Sequence, residues 1–317
     1  MTLPPGILLC ACLALTAWCV PAASAPPVGF SFGIIAHTAS RAPDDAALRE
    51  AIAASDADNL AFVVASGIKA AHEPCTDNLF FRRKELFQSA KNGLILSIAA
   101  SDWSGCKTES GHSSAIERLN RIRDLFFDNP YSFGASKLPM TRQANMPKFR
   151  TYVENVRWDI GNMVFATINL PANNNDYLPA AGRNNEFDDR LIADRDWLHR
   201  IFVVATQKNA AGIVLFSDGN PLAVPDLVAR IGFGVRRDGF TEIRKQILTL
   251  SARFAGKVLL VSGHGSNPRT EAEGIVWHNN LGTVSPGSGW LKINVNPGGA
   301  LLLAVEQATP VLKTAGP

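Results

Sequence analysis

The chain has 317 residues, of which 46% are hydrophobic and 19% charged. This balance excludes a disordered protein and allows a large buried core. The formal net charge is only +3, and no dense Lys/Arg run occurs, so nucleic acid is not an expected partner.

Residues 1–25 predict a signal peptide. They carry no charged side chain, and the apolar stretch from Ile7 to Val20 is too short to span a bilayer comfortably. Ala23-Ser24-Ala25 has the small-x-small form that signal peptidase cleaves. We therefore expect a periplasmic or secreted protein whose residues 26–317 form a single domain with no membrane span. A retained N-terminal anchor is the alternative, because the usual basic start is missing.

The body of the chain alternates short apolar runs, typical of strands buried on both faces, with amphipathic helical segments. In chain order we predict strand Phe30–Ala36, strand Leu60–Ala65, helix Asp77–Lys91, strand Leu94–Ala99, helix Ser114–Phe127, strand Met163–Leu170, helix Asp189–Lys208, strand Ile213–Phe216, helix Phe240–Phe254, strand Val258–Val261, and three antiparallel strands at Gly274–Trp277, Trp290–Val295 and Ala300–Val305. The pattern indicates an α/β fold with largely parallel strands, covering helices and an antiparallel finish.

Two polar segments are predicted to face solvent. They are the helical charge run Arg82–Glu85 and the Asn-rich turn Asn173–Asp176. Four histidines away from the strand ends are likewise expected at the surface, namely His72, His112, His199 and His278. Trp103 and Trp158 are expected to pack in the core rather than to stack a ligand.

Cys75 and Cys106 are the two cysteines that follow the predicted leader. An even pair in an exported protein predicts one disulfide. Two buried free thiols are the alternative.

Several short motifs near the predicted strand ends resemble one family. Gly67-Ile68-Lys69 precedes the run Glu73 to Asp77 (EPCTD), Ser101-Asp102-Trp103 precedes Cys106, and Asn155-Val156-Arg157-Trp158 precedes a strand that leads to an Asn-rich end. In these motifs the chain resembles the calcineurin-like metallophosphoesterases, especially a bacterial exported branch, over roughly residues 30 to 305. The resemblance implies a layered sandwich of mixed β-sheets flanked by helices, with antiparallel C-terminal strands.

The resemblance also indicates where that family holds its two metals. The corresponding positions here are His37, Gly67, Ser101, Asp102, Ser217, Asp218, Ser262 and Ser266. Serine hydroxyls are weak neutral ligands and glycine has no side chain, so this set is unsuited to a metal pair. We therefore expect a pseudoenzyme that needs no cofactor and binds an unidentified ligand or protein.

An enzyme is the alternative hypothesis. Four potential ligands remain near the strand ends: His37, Asp102, Asp218 and His264. If all four converge, they suit one Zn²⁺ or Mn²⁺ ion. The chain would then be a metal-dependent phosphoesterase with a relocated mononuclear site, in which His264 and His37 are the catalytic candidates. A serine nucleophile is less favoured, because no G-x-S-x-G elbow occurs.

Overall fold

The predicted strands form two mixed β-sheets in the computed structural model, which describes residues 28–36, 45–178, 184–223, 237–263, 274–287 and 289–306. The first sheet contains β1 (Phe30–Ala36), β2 (Val63–Ser66), β3 (Leu94–Ser97), β11 (Gly289–Val295) and β12 (Leu303–Glu306). Its strand order is β12-β11-β1-β2-β3. The strands β1, β2 and β3 are parallel, and β11 and β12 extend the sheet antiparallel.

The second sheet has seven strands in the order β4-β5-β6-β7-β8-β10-β9. They are β4 (Thr141–Arg142), β5 (Val156–Ile160), β6 (Met163–Thr167), β7 (Gly212–Ser217), β8 (Lys257–Ser262), β9 (Val276–His278) and β10 (Leu281–Val284). The four strands β6, β7, β8 and β10 are parallel, whereas the outer strands pair antiparallel. The α/β class with mixed sheets and antiparallel C-terminal strands is thus confirmed.

Helices cover the outer face of each sheet. They are α1 (Asp45–Asp56), α2 (Asp77–Gln88), α3 (Ala100–Trp103), α4 (Ala115–Phe126), α5 (Asn185–Gln207) and α6 (Thr241–Arg253). One buried cluster joins α1, α2 and α4 to the first sheet, and another joins α5 and α6 to the second. Within the described residues, no helix is both long and apolar enough to cross a membrane.

The inner faces of the two sheets pack against each other around aromatic rings. Successive strand residues point to opposite faces, so Phe62 and Val64 lie in this inner core while Val63 contacts the helix side. The Trp158 ring stacks on Phe165 and Phe216, with both centroid distances 5.8 Å. Trp158 is 3% exposed and Trp103 is fully buried, which confirms both as core residues. The four predicted surface histidines are also exposed.

Some elements differ from the prediction. The sequence pattern does not indicate α1, because its buried face has few large apolar side chains, chiefly Leu48 and Ile52. The strand that begins at Leu94 ends at Ser97 rather than Ala99, since the backbone turns directly into α3. The short strands β4, β5 and β10 are also additions. Pairing with a neighbouring strand rather than composition holds the two-residue β4 in place, whereas β5 has a period-2 alternation of apolar and charged residues that the prediction missed.

Candidate functional site

The carboxyl ends of the parallel strands in both sheets meet at one region, here called the strand-tip region. It is formed by residues 66–69 at the end of β2, 99–102 just after β3, 217–219 at the end of β7 and 262–263 at the end of β8. Ligands of open α/β sheets bind just beyond such ends, so this region is the first candidate site.

Asp102 is fully buried and accepts three backbone hydrogen bonds. Its Oδ1 accepts from the N–H groups of Ile68 (2.8 Å) and Lys69 (3.0 Å), and its Oδ2 accepts from Ala99 N–H (2.7 Å). Burial raises the pKa of Asp102 to about 7, against the opposing effects of these N–H groups and of Lys69. The carboxylate therefore joins the ends of β2 and β3 and acts as a structural acceptor.

Asp218 plays a similar part between the two sheets. It is fully buried, and its Oδ2 accepts hydrogen bonds from Ala100 N–H (2.7 Å) and Ala172 N–H (2.8 Å). Ala100 begins the helix after β3, whereas Ala172 lies in the loop after β6. A single carboxylate oxygen thus fastens a loop of the first sheet to a loop of the second.

Two serine hydroxyls at positions that the sequence resemblance matches to metal ligands are also engaged locally. Ser101 Oγ donates to the carbonyl oxygen of Lys69 and Ser217 Oγ to that of Gly219, each at 2.8 Å. Both therefore satisfy backbone carbonyls near the strand ends. Ser262 is buried.

The strand tips of the two sheets approach each other closely. Gly67 has a φ of +86°, a conformation that suits glycine. A Cβ atom on Gly263 would clash with the Ser66 hydroxyl, so a larger residue there would require Ser66 to move. The cavity among the described residues at these strand ends has a volume of about 10 Å³, which is about the space that one water molecule needs. The described ends of β2, β7 and β8 are therefore closely packed against one another.

A buried ionic cluster stiffens the loop that follows β2. Arg83 on α2 is fully buried and pairs with Asp45 and Glu73, and its Nε donates to the carbonyl oxygen of Ile68 (3.1 Å). Buried Lys69 donates to the carbonyl oxygen of Ala70 (2.8 Å). The prediction that Arg82–Glu85 is wholly a solvated face is thus wrong for Arg83, because α1 and this loop supply carboxylates and a carbonyl that cover it.

The disulfide between Cys75 and Cys106 is present, with a Cα–Cα distance of 5.9 Å. It connects the segment before α2 to the segment after α3. The predicted pairing is therefore confirmed, and it adds a covalent tie beside the loops that Asp102 joins.

The Asn-rich segment after β6 is a turn whose first part is exposed and whose second part is buried. Asn174, Asn175 and Asp176 all have φ values between +51° and +57°, which Asn and Asp tolerate better than most residues. Asn173 is exposed, whereas Asn175 is fully buried and its carbonyl oxygen accepts from Arg190 Nη2 (2.8 Å). Arg190 also pairs with Glu186 (2.7 Å). The prediction of a solvated turn is therefore wrong for Asn175 and Asp176, because an arginine from α5 lies beneath them.

Of the four candidate metal ligands, Asp102 and Asp218 lie within the described residues. Asp102 and Asp218 accept from the adjacent N–H groups of Ala99 and Ala100, so the structure brings these two carboxylates to the same short stretch. His37, His264 and Ser266 lie outside the described residues. In the part of the chain that is described, no three or more His, Cys, Asp and Glu side chains form a metal-binding group.

No protein-family model and no curated protein matches this chain.

Proposed function

We propose that this chain is a non-catalytic, exported binding protein on a calcineurin-like phosphoesterase scaffold. The resemblance in the motifs around Gly67, Cys75 and Ser101 supports the scaffold, as do two mixed sheets packed face to face between helices. The proposal assigns the protein a binding role toward a ligand or partner protein.

One observation carries the proposal: the carboxylates of Asp102 and Asp218 are buried and already accept five backbone hydrogen bonds between them. A metal ion would have to compete with these N–H groups for the same oxygens. Two divalent ions held close together need several carboxylates and imidazoles, and Ser101 and Ser217 instead offer hydroxyls that donate to carbonyls. The described residues therefore do not fit a dinuclear centre.

Metal content and hydrolysis test this proposal together. Chelator-free protein is analysed for bound metals by elemental analysis, and a chromogenic phosphate ester is assayed with added Mn²⁺, Zn²⁺ and Mg²⁺. We expect no stoichiometric metal and no turnover above the metal-only rate. His264→Ala and His37→Ala should leave both measurements unchanged, like the control His278→Ala at an exposed position.

The alternative enzyme gives the opposite result. Stoichiometric Zn²⁺ or Mn²⁺, with turnover that is lost in His264→Ala but kept in His278→Ala, would overturn the binding-protein proposal. It would instead support a mononuclear phosphoesterase built on His37, Asp102, Asp218 and His264.

A further inference from the structure

A cavity of about 340 Å³ lies between the β4 edge of the seven-stranded sheet and helix α5. Residues of β4, β5, the loop after β4 and one face of α5 line it. Its volume falls within the roughly 300–1,000 Å³ of pockets that hold small molecules. We call it the arginine pocket, because Arg142, Arg157 and Arg200 are among its lining residues.

The charged side chains that line the arginine pocket are all basic. None of the described residues that line it is acidic. Arg200 is half exposed and pairs with Asp196, outside the lining, at 2.6 Å. Arg142 and Arg157 are partly buried, so their charges are less screened by water than that of a surface arginine. This environment favours an anion.

The arginines of the lining differ in how far they are already engaged. Both terminal nitrogens of Arg142 donate to the carbonyl oxygens of Phe127 and Asn129, and its Nε is shielded from solvent. Arg157 makes no ion pair among the described residues, and of its nitrogens only Nη1 is buried without a partner. A partly buried, uncompensated guanidinium is costly, so Arg157 is the arginine that a bound anion would compensate.

The strand geometry explains why Arg157 faces this cavity. Its neighbours Val156 and Trp158 belong to the core between the sheets, and alternation along β5 therefore directs Arg157 to the opposite face, beneath α5. The residue that pairs with Arg157 on the neighbouring strand β4 is Thr141, which also lines the pocket. The charge is thus held by a strand rather than by a mobile loop.

An apolar wall forms much of the rest of the lining, beside the polar Thr141, Asn145 and Gln207. Trp197 and Ile201 are buried on α5, and Met146, Val203 and Val204 belong to the same wall. A wholly polar ion would leave this surface unused, whereas a ligand with a hydrocarbon or aromatic body would bury it. The planar donor fork of arginine matches both carboxylate and phosphate oxygens.

We propose that the arginine pocket binds a small amphiphilic anion, with a carboxylate or phosphate head at Arg157 and an apolar body against α5. This assignment is independent of the strand-tip region, so it stands or falls separately from the proposal of a non-catalytic scaffold.

Calorimetric titration with octanoate and with octyl phosphate tests the assignment on the full mature chain. We expect one site for at least one of the two ligands, and the tighter one identifies the head group. Arg157→Met should weaken that binding at least tenfold. Arg49→Met, at an exposed position on α1, is the matched control and should bind like the unmodified protein.

A stability measurement separates a binding role for Arg157 from a structural one. Because Arg157→Met removes a buried unpaired donor, its melting temperature should equal or exceed that of the unmodified protein. Four results would overturn the assignment: binding of neither ligand, equal affinity for octan-1-ol, equal affinity for inorganic phosphate, or unchanged affinity in Arg157→Met.

Discussion

Replacement of Asp218 by alanine tests whether this carboxylate fastens the two sheets together. The change removes the acceptor of the Ala100 and Ala172 N–H groups. Hydrogen bonds to charged groups contribute about 1.5–3 kcal/mol each, so the loss of two should cost about 3 kcal/mol or more. At roughly 2–4 °C per kcal/mol for domains of 150–250 residues, the melting temperature should fall by about 6–12 °C.

The assay is thermal unfolding followed by circular dichroism, with urea unfolding as an independent measure. Asp218→Asn keeps an oxygen but loses the charge, so its melting temperature should lie between those of the unmodified protein and Asp218→Ala. Asp124→Ala, at an exposed position on α4, is the control and should change little. If Asp218→Ala melts within about 2 °C of Asp124→Ala, a shift that corresponds to under about 1 kcal/mol, the structural role assigned to Asp218 is incorrect.

Three further changes probe the supports of the fold. Removal of the disulfide by Cys75→Ser with Cys106→Ser should cost about 3 kcal/mol, and added reductant should then no longer lower the urea midpoint. Arg190→Met leaves the Glu186 carboxylate and the carbonyl oxygens of Asn169 and Asn175 without their donor. Removing one partner of a buried ion pair lowers the free energy of unfolding by about 3–5 kcal/mol, and a urea midpoint equal to that of the unmodified protein would contradict this prediction. Burial raises the pKa of Asp194 on α5 from its ordinary value of 3.8 to about 8, so folding favours the protonated carboxyl group. The resulting contribution to the free energy of unfolding is complete below pH 3.8 and is lost as the pH rises through about 8. Unfolding free energies measured from pH 5 to 8 should therefore decline. Asp194→Asn should make the decline shallower without abolishing it, because burial also raises the pKa of Asp102 to about 7 and that of Asp176 to about 6. An equally steep decline in the variant would exclude Asp194 as a source.

Much of the fold follows from local sequence patterns. Apolar runs such as the one from Ile213 to Phe216 become strands because both of their faces are covered, and the spacing of Ile243 and Ile247 places both on the buried face of α6. Local patterns do not predict helix α1, because alanines occupy much of its length and it has no strong apolar stripe. Its position is decided by tertiary packing.

The candidate site was less predictable than the fold. Sequence identifies Asp102 and Asp218 as acidic groups near the strand ends, but their partners include backbone N–H groups of loops distant in the chain. A carboxylate that accepts such bonds is indistinguishable in sequence from one that awaits a metal. The same holds for Arg83, which has the sequence context of a surface residue and becomes buried once Glu73 and Asp45 meet it.

The sequence alone determined the alternation of strands and helices, the α/β class and the pairing of Cys75 with Cys106, because these depend on local periodicity or on a single available partner. Only the tertiary structure decided that the strand tips close around backbone-bound carboxylates and that Arg142, Arg157 and Arg200 surround one cavity. Those properties depend on contacts between segments far apart in the chain, whose relative positions are set by the packing of two sheets and their helices.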